Sequence, residues 1–291
     1  MNLLNAIIMG IVQGIAEFLP VSSSGHLAIM KQLLHMNTDT GLLFDVLLHI
    51  GTLIAIFVAF WKDIKELIVE GLKLLGDCIG NLGRLLTNLT LRRKAEYNKV
   101  ISTPYRRFVM LIIVSTIPTG IIGVLFQHAF EKAGDILWIP GVCLIFTGIL
   151  LTVADHVKTG DKNEATASYK EAGFIGLAQG IAILPGLSRS GTTITACLLN
   201  GFDKSFAVKY SFIMSIPAVL GAALVEMKDF SMDMLNQSEL FSYAVGTLVA
   251  GIIGYISIKT MLVIVRGKKF KFFAYYCFII GALAVVGYFV I

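Results

Sequence analysis

Six stretches of the chain stay apolar for long enough to cross a bilayer as helices, roughly Phe44–Trp61, Phe108–Gln127, Trp138–Ala154, Phe206–Val225, Phe241–Leu262 and Phe272–Ile291. Two more, Leu3–Leu34 and Gly173–Asn200, are interrupted midway by polar knots rich in Gly and Pro, PVSSSGH and PGLSRSGTT, which leave each half too short to span. The segment Lys62–Arg107 follows another rhythm. Ile64, Leu67, Ile68, Leu72, Leu75, Ile79, Leu82, Leu86 and Leu89 recur at steps of three and four. That spacing predicts amphipathic helices, either on the inner membrane surface with basic residues among headgroups or in a solvated loop.

The two interrupted stretches are related. A gapless shift of 166 residues places Gly10, Gln13, Gly14, Ile15, Ala16, Ser22, Ser24 and Gly25 on identical residues at Gly176, Gln179, Gly180, Ile181, Ala182, Ser188, Ser190 and Gly191. Fixed-offset similarity of this kind signals a duplicated unit. Each copy is a helix–loop–helix hairpin followed by three spans: residues 1–154, which include the inside segment 62–107, and residues 172–291. If each hairpin re-enters its own side, three crossings separate the two, and they enter from opposite faces. The expected fold is therefore an all-α polytopic membrane protein with six transmembrane helices and two re-entrant hairpins in an inverted-topology repeat.

Composition agrees, with 56% hydrophobic and only 15% charged residues. A soluble domain carries roughly 25% charge, so a cytosolic enzyme, a disordered chain and a disulfide scaffold are excluded. The net charge of +5 matters less than where the charge lies. Loops on one side hold Lys62, Lys65, Lys73, Arg84, Arg92, Arg93, Lys94, Lys99, Arg106, Arg107, Lys158, Lys162, Lys170, Arg266, Lys268, Lys269 and Lys271, against Lys31, Lys132 and Lys228 on the other. The basic side is cytoplasmic. Both termini, and the mouth of the first hairpin, then face outward, and no nucleic-acid role is implied. The N-terminal stretch lacks a basic n-region and is interrupted by Gln13, Glu17 and Pro20, so it reads as no cleavable signal. Cys78, Cys143, Cys197 and Cys277 are scattered and read as apolar packing residues. His35, His128 and His156 fall at predicted membrane boundaries, and Pro118 and Pro217 are expected to kink their spans.

Ionisable groups at membrane depth mark function. Here they are Glu17, His26, Arg189 and the pair Asp45/His49. Arg189 opens a helix among Ser188, Ser190, Gly191, Thr192 and Thr193. Free N–H groups at a helix start and a planar guanidinium suit a phosphate. The first knot offers Ser22, Ser23, Ser24 and Gly25 in the same way, and Gln13 lies one turn before Glu17. If the hairpins meet at the midplane, this is a phosphoryl-transfer site. Arg189 would stabilise charge, Ser23 or His26 would attack or activate the attacking group, and Glu17 would orient or deprotonate it. Asp45 and His49, at i and i+4, would support it from the first span. The competing reading of the serines is helix capping, and that of Glu17 is simple neutralisation of Arg189.

GIVQGIAEFLPVSSSGH and LPGLSRSGTT resemble the two signature motifs of the bacterial undecaprenyl pyrophosphate phosphatase, or bacitracin-resistance, family, and the resemblance spans essentially the whole chain. It implies an integral membrane enzyme that converts a polyprenyl pyrophosphate lipid to the monophosphate carrier used in cell-wall synthesis. It carries the family's roles onto Glu17, Ser23, His26, Ser188, Arg189 and Thr193. It also implies a loosely held divalent cation, Mg²⁺ or Ca²⁺, between Glu17 and the pyrophosphate. Gln13, where the family pattern also admits Glu, weighs against a two-carboxylate metal pair. The resemblance places the protein in the bacterial plasma membrane, in contact with membrane lipids and with homodimerisation left open. A flippase of undecaprenyl phosphate is the alternative, because inverted repeats with broken helices are also a transporter architecture.

Overall fold

The computed structural model describes residues 1–34, 38–91, 95–134, 136, 138–226, 237–267 and 269–290. Among them the regular structure is helical, apart from one isolated parallel bridge between Lys162 and Phe202. The helices are α1 (Leu3–Phe18), α2 (Ser23–Leu33), α3 (Thr38–Ala59), α4 (Trp61–Leu91), α5 (Pro104–Gly134), α6 (Trp138–His156), α7 (Tyr169–Ile181), α8 (Arg189–Leu199), α9 (Lys204–Glu226), α10 (Gln237–Arg266) and α11 (Phe270–Val290). Five of these, α5, α6, α9, α10 and α11, are long and apolar enough to cross a membrane; α3 with α4 makes a sixth candidate, bent by 87°. The chain is a polytopic helical membrane protein.

The local sequence explains the breaks. Pro20 cannot continue α1, and Leu19 before it is extended at φ −74°, ψ 144°. Ser22 then caps α2 by accepting from the Gly25 N–H at 3.4 Å, and Ser188 caps α8 by accepting from Gly191 N–H at 3.1 Å. Between α7 and α8, Pro185 precedes Gly186, which adopts φ +91° against the Pro140 backbone. The 166-residue offset reaches beyond the identities: α2 and α8 are each 11 residues, starting at Ser23 and Arg189, and α3 and α9 start at Thr38 and Lys204.

Helix pairing follows the same offset. The most extensive packing joins α1 to α10, α6 to α11, α3 to α10 and α5 to α7. Gly10 and Gly14 let α1 close onto Gly246, Ala250 and Gly254 of α10; a Cβ on Gly10 would collide with the Gly246 carbonyl oxygen. Their counterparts Gly176 and Gly180 let α7 close onto α5, where Gly176 meets the Ser115 carbonyl. Small residues four apart permit such backbone approach in lipid.

Between α3 and α5 lies one long amphipathic helix, α4, rather than several. Its polar face is stitched to the returning segment. Asn88 accepts from Ala95 N–H at 2.8 Å, Asn81 from Asn98 N–H at 2.7 Å, and Asp63 from the Tyr105 hydroxyl at 2.9 Å. Arg106 bridges Glu70 at 3.0 Å and Asp77 at 2.7 Å. Of its apolar stripe Ile64 and Leu67 are buried in the core, but from there on it is bare: Ile68, Leu72, Leu75, Ile79, Leu82, Leu86 and Leu89 are each more than half exposed. Pro118 and Pro217 lie within continuous helices. Cys143, Cys197 and Cys277 are buried as expected, but Cys78 is exposed, on the same flank of α4 as the bare Leu75 and Leu82.

Basic loops gather at one end. Lys209 reaches Asp63 at 3.0 Å and Glu164 at 3.9 Å, Arg107 donates to the Ala167 carbonyl at 2.7 Å, and Lys204 donates to the Arg266 carbonyl at 3.3 Å. Opposite, the Met1 ammonium pairs with Glu239 near the start of α10. His128 is exposed and pairs with Glu131, and His156 ends α6. His35, Lys228, Lys268 and the basic run Arg92, Arg93, Lys94 lie outside the described residues.

Candidate active site

The two helix breaks touch. Gly191 abuts Pro20, Gly186 N–H donates to Ser24 Oγ at 3.3 Å, and Ser190 Oγ donates to the Leu19 carbonyl at 3.5 Å. At their junction lies the Glu17 carboxylate, with its side chain 6% exposed. Arg189, at the start of α8, pairs with Glu17 Oε1. Oε2 accepts from Ser23 Oγ at 2.7 Å and from Gln13 Nε2 at 3.1 Å. His49 Nε2 stands 3.9 Å from the same oxygen. One carboxylate thus gathers a cation from the far break and a hydroxyl from its own. Their equivalence is notable: the 166-residue offset relates Ser23 to Arg189.

Both histidines near this cradle are tied in the same way. His26 Nδ1 lies 2.7 Å from the Ser22 carbonyl and His49 Nδ1 2.8 Å from the Asp45 carbonyl. A carbonyl only accepts, so each Nδ1 carries a proton and each ring turns its Nε2 away from that carbonyl. In His26 that nitrogen meets the Tyr276 hydroxyl of α11 at 2.6 Å, with the rings 13° from parallel. Ser22 adopts φ 71°, the one positive φ among described non-glycine residues. Such a conformation persists only where its surroundings enforce it.

Not every expected residue converges. Gln13, Glu17, Ser23, His49 and Arg189 share one cluster. His26 stands on the next turn of α2 and reaches Tyr276 instead. Asp45 does not support Glu17: its side chain pairs with Lys31, and only its backbone oxygen orients His49. Ser22, Ser24, Gly25, Ser188, Ser190 and Gly191 form the capped turns around the junction. Thr193 turns away, donating to the Arg189 carbonyl at 2.8 Å and bonding Ser211 of α9. Thr192 Oγ1 is buried without a partner. Tyr276 was missed, and no spacing signal singles it out in the aromatic run from Phe270.

A resident divalent cation does not fit this donor set. Glu17 is the one carboxylate at the junction, both its oxygens are taken, and one of its partners is a guanidinium. No cluster of three acidic, His or Cys ligands occurs among the described residues. A cavity of about 830 Å³ opens at the basic end beside Asp161, Glu164, Asp203 and Lys209, and no junction residue lines it.

The profile of the family described as Bacitracin resistance protein BacA matches residues 6–283. The chain belongs to the BacA family. Relatives named undecaprenyl-diphosphatase agree along almost their whole length. The Methanosphaera stadtmanae protein is 42% identical and the Halothermothrix orenii protein 38%, each over 98% of this chain and 98% of its own length. The relative named undecaprenyl-diphosphatase 4 from Bacillus thuringiensis is 35% identical over 97% of this chain and 96% of its own. For this BacA-family chain the match takes in both breaks and all four residues Glu17, Ser23, His26 and Arg189.

Proposed function

We propose that this BacA-family chain is an integral membrane undecaprenyl-diphosphatase. It would hydrolyse undecaprenyl diphosphate to undecaprenyl phosphate and inorganic phosphate, which regenerates a cell-wall lipid carrier and underlies bacitracin resistance. The observation that carries the reading is the shared Glu17 carboxylate, with Arg189 on one oxygen and the Ser23 hydroxyl on the other.

The chemistry follows from those partners. The diphosphate draws Arg189 off Glu17, since a guanidinium binds phosphate oxygens in a bidentate fork. Glu17, no longer held by that cation, accepts the Ser23 proton. Ser23 Oγ attacks the terminal phosphorus, the bond to the bridging oxygen breaks, and undecaprenyl phosphate leaves. Water then attacks the phosphoserine phosphorus as the Ser23 O–P bond breaks; Glu17 returns its proton to Ser23 Oγ, and the protons of the water leave on the released phosphate. The N–H groups that open α2 and α8, beyond those taken by Ser22 and Ser188, and the Arg189 fork would hold the developing charge. His26, one turn further along α2, would accept one of those water protons at Nε2 from the departing phosphate. Mg²⁺ or Ca²⁺ enters this scheme only as a counter-ion arriving on the diphosphate, and no step depends on it. A lipid flippase would need the Arg189 fork but not a proton acceptor 2.7 Å from a serine hydroxyl.

The membrane arrangement belongs to the same proposal. Six spans and two re-entrant hairpins form an inverted repeat, with the first hairpin opening outward and both termini outside. It is supported by the exchanged pairing of α1 with α10 and α7 with α5, and by the collection of basic loops at the end opposite Met1. The 87° bend turns α4, about 46 Å long at 1.5 Å per residue, flat against the inner leaflet, so that its bare apolar stripe enters the acyl region.

The test is phosphate release by protein purified in detergent, from farnesyl and undecaprenyl diphosphate. Turnover is expected, with an acid-stable phosphoenzyme trapped on Ser23. Absence of release from either substrate would sink the phosphatase reading. An acid-labile adduct would move the nucleophile to His26.

A further inference from the structure

We infer that Tyr276 is the positioning residue for His26, a role that rests on the phosphatase reading above. The His26 ring is clamped at both nitrogens. Nδ1 donates to the Ser22 carbonyl at 2.7 Å, and the Tyr276 hydroxyl donates to Nε2 at 2.6 Å. The flat faces of the two rings lie 5.6 Å apart between centroids. A ring held at both ends cannot flip, so the lone-pair nitrogen keeps one direction.

The clamp is built on rigid ground. Tyr276 precedes Cys277, whose thiol lies 3.6 Å from the Pro20 carbonyl, so α11 is seated directly on the first break. One turn later, Gly281 of α11 packs against Gly141 of α6 so closely that a Cβ would stand 2.6 Å from the Gly141 oxygen. The same α6 carries Thr147, which accepts from the Ser188 N–H at 3.0 Å. The Tyr276 hydroxyl is therefore fixed relative to both breaks at once.

A hydroxyl on Nε2 aims the lone pair and also masks it. For His26 to exchange a proton with the reacting phosphate, Tyr276 must give its hydrogen bond to another acceptor. A phosphate oxygen is the acceptor a diphosphate brings. The handover leaves Nε2 bare beside the bound phosphate and adds one donor to it. Tyr276 so couples substrate arrival to release of the histidine.

Tyr276→Phe keeps the ring and removes only the hydroxyl. Turnover should fall about 10-fold, and KM should rise about 2- to 3-fold because the donor that Tyr276 gives the bound phosphate is lost. The second reading needs no activity. Histidine-selective ¹⁵N spectra of the full-length protein in detergent, with His26 assigned by its loss in His26→Gln, should show one fixed Nδ1–H tautomer in wild type. Tyr276→Phe should show that signal averaged between tautomers. Wild-type turnover together with an unchanged tautomer signal in Tyr276→Phe would overturn the inference. If wild type itself releases no phosphate, the phosphatase reading fails, while the spectra still decide whether the clamp exists. Should Tyr276→Phe not fold, Tyr276→Trp preserves an aromatic face and a donor, and a fixed tautomer there with Tyr276→Leu averaged would support the clamp; averaging in neither would reject it.

Discussion

Removing Arg189 should destabilise the protein, and removing Glu17 as well should restore most of the loss without restoring any activity. Glu17 is 6% exposed and Arg189 25% exposed in their pair. Deleting one member of a buried pair strands the other and costs ~3–5 kcal/mol. Here the carboxylate keeps hydrogen bonds from Ser23 and Gln13, and the guanidinium is partly solvated, so Arg189→Ala belongs at the low end, about 3 kcal/mol. At roughly 2 °C per kcal/mol for a chain of this size the unfolding midpoint falls by about 6 °C. Glu17→Gln should cost less, because Arg189 can turn toward water. The double variant Glu17→Gln/Arg189→Ala should return to within about 1 kcal/mol of wild type, a coupling of the size expected for groups in contact. The protein carries its own reporter: Cys143, Cys197 and Cys277 are buried and become reactive to a thiol dye on unfolding, once exposed Cys78 is replaced by Ser. Phosphate release should be lost in all three variants. Additive losses in the double variant, or an Arg189→Ala midpoint equal to wild type, would refute the buried pair.

Three further outcomes follow from the packing and charge. Lys73 and Arg106 hold the Glu70 carboxyl, and Arg106 with Asn98 holds that of Asp77, below the ordinary carboxylate range. Carboxyls lowered in this way contribute stability that is complete above their unfolded values of 4.5 and 3.8 and is lost as pH falls through the lower folded values. Amide exchange at Ala95 and Asn98 should therefore stay slow at pH 5 and accelerate relative to its intrinsic rate only below about pH 4; acceleration already at pH 5 would contradict the tether. Gly176→Ala should cost about 3 kcal/mol, because its Cβ meets the Ser115 backbone, whereas Gly180→Ala meets only the Ile122 side chain, Cδ1 at 2.6 Å and Cβ at 2.9 Å, and should cost about 2; equal midpoints for the two would refute it. A bimane probe at Leu75→Cys should be quenched strongly by lipids spin-labelled in the acyl chain and one at Arg84→Cys weakly; equal quenching would place α4 off the leaflet, and crosslinking between two copies at Leu75→Cys would replace lipid by a homodimer.

Much of this was legible from sequence because it rests on long patterns. The span helices come from runs of apolar residues, and both breaks from Pro and Gly placed against those runs. Glu17 and Arg189 declared themselves as charges in otherwise apolar surroundings, and the shared offset suggested their meeting only on the condition that the hairpins converge, which the fold meets. Other features depend on contacts that no spacing encodes. Tyr276 sits in an apolar, aromatic segment where its hydroxyl is invisible until α11 is packed on Pro20. Asp45 looked like a partner for Glu17, but Lys31 lies nearer in the fold and takes it. The apolar rhythm of α4 was plain, yet its polar face faces the returning segment rather than water, since Asn81 and Asn88 hydrogen-bond the chain that follows them. That reversal leaves Cys78 exposed.

The two breaks also serve as controls for each other. Ser22 and Ser188 are the same residue at equivalent positions, and each accepts from the glycine N–H three residues on. Ser188 does this at φ −78°, an ordinary value, while Ser22 sits at φ 71°. Capping therefore does not require the strain. Two differences bear on it: Pro20, which cannot take a positive φ, stands where the second copy has Gly186 at φ +91°, and His26 stands four places after the serine where the second copy has Thr192. Only the first copy has a ring nitrogen for its serine carbonyl to accept from, at 2.7 Å. The left-handed turn that Gly186 takes in the second copy thus falls on Ser22 in the first, at a cost of order 1–3 kcal/mol, and it leaves the Ser22 carbonyl aimed at His26. Ser22→Gly should relieve the strain at the loss of a few tenths of a kcal/mol of capping, raising the midpoint by about 2 °C. It should leave the His26 tautomer fixed, because the Ser22 carbonyl and the Tyr276 hydroxyl both remain in place. A lowered midpoint or an averaged tautomer in Ser22→Gly would show instead that the Ser22 side chain, and not its backbone, sets the geometry of the first break.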